Sequence, residues 1–167
     1  MTLTKVVFMQ NLSSEIATLI KDQALENMEV SLVNHQASKE VQIRSLEQTE
    51  YLILYAQTLS DDVLRESHNL RFIQLLSAGY DQLNIELMKE LGIQCANNGG
   101  ANSWAVSDHA VLLMLSLYRK LVVSDTSTRI GSWNKPIDGT NTFELANKKV
   151  GVLGIGRIGK QVARRGQ

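Results

Sequence analysis

The sequence holds a single cysteine, Cys95, in 167 residues. One thiol excludes an intrachain disulfide framework and fits a reducing compartment. Neither sign of charge is in surplus: 17 Lys and Arg balance 17 Asp and Glu. That balance argues against a protein built mainly to grip nucleic acid or an anionic membrane. No long hydrophobic run is present. The most apolar stretch, Val111 to Leu117, is flanked by Asp108, Arg119 and Lys120, and it falls far short of the ~20 residues that span a bilayer. No basic segment followed by an apolar one opens the chain, so no secretory signal is expected and the cytoplasm is the default location. Proline occurs once, and no repeat or low-complexity tract is seen. What remains, 44% hydrophobic and 20% charged residues, is an ordinary globular composition able to bury a core.

Short apolar runs alternate with amphipathic stretches. Val6-Val7-Phe8-Met9, Val30-Ser31-Leu32-Val33, Tyr51-Leu52-Ile53-Leu54, Phe72 to Leu76 and Ile93 to Ala96 read as five strands. Between them, helices are expected from Ser13 or Ser14 toward Asn27, from Ala37 to Gln48, from Asp61 to Ser67 and from Asn84 to Leu91, the last closed by Gly92. Strand–helix alternation means βαβ units and a parallel sheet covered on both faces. After Asn97-Asn98-Gly99-Gly100-Ala101 the texture changes. Asn102 or Ser103 opens a long helix ending near Val122, apolar on nearly every side and so expected to be buried between layers or subunits. Ser124 to Asn147 is polar and reads as an irregular connector. Val150-Gly151-Val152-Leu153 reads as a sixth strand leading into another helix. The expected organisation is a complete five-stranded α/β unit over residues 1–100 and, over 101–167, the truncated opening of a second domain.

Gly154-Ile155-Gly156-Arg157-Ile158-Gly159 fits G-x-G-x-x-G between a strand-like run and a helix start. Gly154 would permit the tight turn. Gly156, without a Cβ, would let a pyrophosphate reach the backbone, and Gly159 would let helix and strand pack closely. The helix N-terminus then offers free N–H groups and a positive dipole end to the phosphates. The plain alternative is a tight turn with no ligand. An acidic residue ~20 positions further on would bear on the choice of cofactor; the sequence given does not extend that far, so the expected cofactor is NAD or NADP.

Further segments add to this turn: Ser77-Ala78-Gly79-Tyr80-Asp81 after a strand, Glu90-Leu91-Gly92-Ile93, Asn102 to Ala110 opening the long helix, and Arg129-Ile130-Gly131-Ser132-Trp133. In this order and spacing, the sequence from about Leu75 onward resembles the D-isomer-specific 2-hydroxyacid dehydrogenases. The resemblance implies a flavodoxin-like substrate domain followed by the start of a Rossmann NAD(P)-binding domain. It implies oxidoreductase action on a small 2-hydroxy or 2-keto acid, and a homodimer when full length. Ser77, Ala78 and Gly79 would form the loop whose backbone amides hold the substrate carboxylate; an ordinary βα turn is the alternative. Asn102 would lie beside the substrate or simply cap its helix. Val106 would pass near the nicotinamide, although core packing is the favoured reading. Gly154, Gly156, Arg157, Ile158 and Gly159 would hold the cofactor. The sequence departs from the family's usual Ala-Glu-His at Ser107-Asp108-His109, where Asp shortens the reach by one methylene. His109 is expected to be structural, and His35 and His68 exposed. The family's catalytic arginine, acidic residue and histidine are expected beyond Gln167, so no residue here is assigned to catalysis. Two other readings remain open: a non-catalytic NAD(H)-binding relative like the family's corepressor branch, and an inactive interaction module.

Overall fold

The apolar run Val6–Met9 dictates the centre of the first unit. All four side chains are buried, which requires cover on both sides of the strand that carries them. In a computed structural model of the chain, describing residues 3–55, 58–132 and 141–167, this run lies in β1 (Thr4–Gln10). The chain continues through α1 (Ser14–Lys21), β2 (Met28–Asn34), α2 (Lys39–Leu46), β3 (Tyr51–Tyr55), α3 (Asp61–Glu66), β4 (Phe72–Leu75), α4 (Ile85–Glu90) and β5 (Gln94–Ala96). The strands form one parallel five-stranded sheet in the order β2-β1-β3-β4-β5. That is the flavodoxin-like order, whose switch point lies between β1 and β3.

Alternation along β1 splits the core in two. Val7 and Met9 join Leu52 and Leu54 of β3 and Ile73 and Leu75 of β4, packed by Leu46 of α2, Val63 and Leu64 of α3, and Leu87 and Met88 of α4. Val6 and Phe8 face the other way, onto Val30 of β2 and Ile20 of α1. The two faces are therefore unequally covered: three helices lie on one and a single helix on the other, where Tyr51 and Tyr55 stay exposed. Each fully buried Leu, Ile or Phe contributes ~1.5–3 kcal/mol, so the larger cluster dominates the unit's stability. Helix ends follow local chemistry. Ser60 accepts from Val63 N–H at the start of α3, and Asn84 accepts from Leu87 N–H at the start of α4. Gly92, at φ +73, carries the chain out of α4. α1 stops at Lys21, short of Asn27, because the chain leaves it through i→i−3 bonds at Gln23 and Ala24.

Backbone contacts divide the chain into two compact units, residues 1–99 and 100–167. In the second, the expected single helix to Val122 is two helices: α5 (Ser103–Tyr118) and α6 (Leu121–Arg129). Lys120, left-handed at φ 52, makes the break. The expected irregular connector thus begins as helix; Trp133, Pro136 and Gly139 lie outside the described residues. Within this unit Ser103 and Ser107 are the buried residues of α5, while Leu112, Leu113, Leu115 and Leu117 are exposed, which leaves an apolar surface on the helix expected to lie between layers or subunits. Phe143 returns to α5, donating its N–H to Tyr118 O (3.0 Å) with the two rings edge-to-face at 5.8 Å. Val150–Leu153 is not a strand, and Leu153 is fully exposed. Its backbone finds no parallel neighbour among the described residues, and pairing is what makes an extended run a strand. The last helix is α7 (Arg157–Arg165). Among the described residues, no helix is long and apolar enough to cross a membrane.

Candidate functional site

The glycine turn has the geometry that its three glycines suggest. Gly154 sits at φ +91, a conformation strained for any residue with a Cβ. A Cβ on Gly159 would overlap the carbonyl oxygen of Gly154, with Gly154 C at 3.1 Å and Val152 Cγ1 at 3.4 Å. The first turn of α7 is thereby pressed onto the preceding loop. Gly156 is the N-cap of α7 and offers no side-chain cap. A Cβ there would meet no described atom within 4 Å, so the space above its Cα is open. An anionic group can enter that space and reach the orphan N–H groups of the helix start. The turn therefore fits a dinucleotide pyrophosphate. Arg157 folds back over Gly100, where an added Cβ would strike its Cδ. Ile158 is exposed.

The loop after β4 is organised by its carbonyls. Asn98 N–H donates to Ser77 O (3.0 Å), Asn97 Nδ2 donates to Ala78 O (2.6 Å), and Ser77 Oγ donates to Gly79 O (2.8 Å). With all three carbonyls engaged, the loop is fixed from its acceptor side. None of the hydrogen bonds found among the described residues uses the N–H of Ser77, Ala78 or Gly79. Beside this loop, a groove of about 690 Å³ runs along α4 and β5, lined by Tyr80, Met88, Lys89, Ile93 and Cys95 among others. Partial burial raises the Cys95 thiol from its ordinary value, although the residue is exposed.

Other expected positions fall as follows. Asn102 is the N-cap residue of α5 but makes no side-chain capping bond. Val106 lies on α5 and is exposed, so the core packing favoured for it is not seen within this unit. His109 and His68 are exposed. His35 is half-buried rather than exposed, its Nε2 lying 2.6 Å from Thr58 O. The sequence reading missed the contact that ties α7 to α5. Arg165 Nε donates to Asp108 Oδ1, and its guanidinium carbon lies 5.0 Å from the centroid of the Trp104 ring. Nothing in the local pattern announces a pair 57 positions apart.

The sequence profile of the D-isomer specific 2-hydroxyacid dehydrogenase catalytic domain matches residues 6–157. The chain belongs to the D-isomer-specific 2-hydroxyacid dehydrogenase family. It is 32% identical over 163 residues to D-3-phosphoglycerate dehydrogenase of Archaeoglobus fulgidus, a match covering 96% of this chain and 30% of that protein. It is 28% identical over 138 residues to hydroxypyruvate reductase of Thermotoga maritima, covering 82% of this chain and 44% of the relative. Among solved structures, a D-lactate dehydrogenase from Treponema pallidum superposes with a TM-score of 0.78 at 24% identity, over 96% of this chain and 50% of the other. An acyclic imino acid reductase solved in complex with NADPH and D-Arg gives 0.78 at 20%, over 98% and 52%. At these identities the structural likeness speaks for the fold. The chain spans less than half the length of the two curated relatives.

Proposed function

We propose that this chain forms the substrate domain (1–100) and the opening of the dinucleotide-binding domain (101–167) of an NAD(P)-dependent oxidoreductase. The reaction is the interconversion of a small 2-keto acid, such as glyoxylate, hydroxypyruvate, pyruvate or a phosphorylated analogue, with its D-2-hydroxy acid. One observation carries the reading: the open space above Gly156, at a helix start set by Gly154 and Gly159. Bound there, the cofactor would supply or accept hydride at the carbon bearing the substrate oxygen.

The residues of this chain bind and orient. Gly154, Gly156 and Gly159, with the N–H groups of Arg157 and Ile158, hold the pyrophosphate. Val106, exposed on α5, offers an apolar surface for the nicotinamide. The amides of Ser77, Ala78 and Gly79 receive the substrate carboxylate, a role supported by the fastening of that loop through its carbonyls. Asn102, whose side chain is not spent on capping, lies beside the substrate. We assign the proton-transferring histidine, its acidic partner and the carbonyl-polarising arginine to sequence beyond Gln167, in the portion by which the relatives are longer. The whole protein acts in the cytoplasm, consistent with its lone thiol, and as a homodimer, as the family resemblance implies. The test is Gly156→Val in the full-length protein. The variant should stay folded, because a Cβ at this position meets no described neighbour within 4 Å, yet lose NADH binding in a fluorescence titration. NADH binding equal to the parent's would remove the glycine turn as a cofactor site.

A further inference from the structure

The cluster around Arg165 lies at the end of α7 away from the glycines, and the reading above does not use it. Trp104 and Asp108 are one helical turn apart on α5 and so share a face. Arg165 meets both: its guanidinium lies over the Trp104 ring while Nε donates to Asp108. Its Nη1 donates back to Gln161 O (3.2 Å) on its own helix. A planar guanidinium engaged in three directions has its rotamer fixed, which a lysine ammonium would not achieve. The Arg165 side chain is 22% exposed, against 67% for Asp108. The ion pair alone is therefore weak, and the stacked, largely covered guanidinium carries most of the contact. Ser107, fully buried, donates Oγ to the backbone carbonyl of Trp104 at 2.7 Å, within the same helical turn.

We propose that Arg165 is a positioning residue for the glycine turn. Clasped to Trp104 and Asp108, it sets the seat of α7 on α5 and hence the direction in which the N–H groups at the other end of α7 point. α7 packs along α5, and an arginine contact marks each of its ends. Arg157 lies over Gly100 at its start, and Arg165 grips Trp104 and Asp108 at its end. Releasing the far clamp lets the seating of α7 on α5 shift. The anion cradle then loses preorganisation without losing any group that touches the ligand.

This inference rests on the glycine turn being the dinucleotide site, and the experiment separates the two. NADH affinity and melting temperature are measured on the full-length protein and on Gly156→Val, Arg165→Ala, Arg165→Lys and Trp104→Phe, each titrated well below its own melting point. Arg165→Ala should weaken NADH binding on the order of 10-fold, below the ~10²-fold that a full 1 Å misplacement can cost. Arg165→Lys should recover part of that loss, and Trp104→Phe, which keeps a ring under the cation, most of it. Parent-like affinity in Arg165→Ala, with binding abolished in Gly156→Val, overturns the positioning role and leaves the turn standing. A loss in Arg165→Ala that disappears on cooling further below its melting point reduces the clasp to a stability element and also overturns it. Unchanged binding in Gly156→Val would sink the reading of the turn, and this inference with it.

Discussion

Gly159→Ala tests the packing of the glycine turn with the smallest available perturbation. The added methyl would overlap the Gly154 carbonyl oxygen and come within 3.1 Å of the carbonyl carbon and 3.4 Å of Val152 Cγ1. The obstructing atoms are backbone, and Gly154 is already committed to φ +91, so neither partner can yield by changing rotamer. α7 must withdraw on the order of 1 Å, and a displacement of that size in a binding constellation costs up to ~10²-fold. The overpacking itself should lower stability by ~1–3 kcal/mol. Both are measured on the full-length protein, by fluorescence titration with NADH and by urea denaturation. The expected result is a Kd raised at least 10-fold together with a midpoint shift of that size. NADH binding and stability both equal to the parent's would show that α7 does not press on the loop as described.

Three further outcomes follow. Leu54→Ala removes a fully buried side chain at the centre of the sheet and should cost ~2–5 kcal/mol in urea unfolding; less than ~1 kcal/mol would mean that the larger core cluster is not packed as described. Burial raises the Cys95 thiol, so the reactive thiolate is scarcer at neutral pH than in an unperturbed cysteine. Alkylation by iodoacetamide should be slower than for a model thiol and accelerate only as pH rises past the usual cysteine range; reaction at neutral pH as fast as the model thiol's would contradict the shift. Residues 1–167 alone should bind NAD weakly and turn over no 2-keto acid. Val150–Leu153 lacks a paired neighbour to steady the turn, and a missing general acid/base typically costs ~10²–10⁴-fold. Turnover by this chain at ~1–10³ per second would place the catalytic residues within it.

The five strands were legible because each is a short apolar run between turn residues, and the βαβ alternation leaves few topologies. What the sequence hid is tertiary. The break at Lys120 occurs without glycine or proline, in a left-handed residue that no local rule selects. α6 looked like loop because Ser124, Thr126 and Thr128 are polar. In the structure each hydroxyl donates to the carbonyl four residues earlier, so the polarity is absorbed by the helix itself. Val150–Leu153 has the composition of a strand, but composition cannot supply the neighbour that strand pairing needs. The glycine turn was readable because three glycines at fixed spacing do three separable mechanical jobs. The Arg165 clasp was not, because an arginine near a helix end, a tryptophan and an aspartate are individually ordinary.

The most direct test of the central claim is steady-state NADH and NADPH oxidation by the full-length protein, with glyoxylate, hydroxypyruvate and pyruvate offered in turn and the product's configuration determined. Turnover with at least one of them at ~1–10³ per second, giving the D-isomer wherever the product is chiral, is the predicted result. Tight NADH binding with no reduction of any 2-keto acid would contradict it and make the protein a dinucleotide binder without the chemistry.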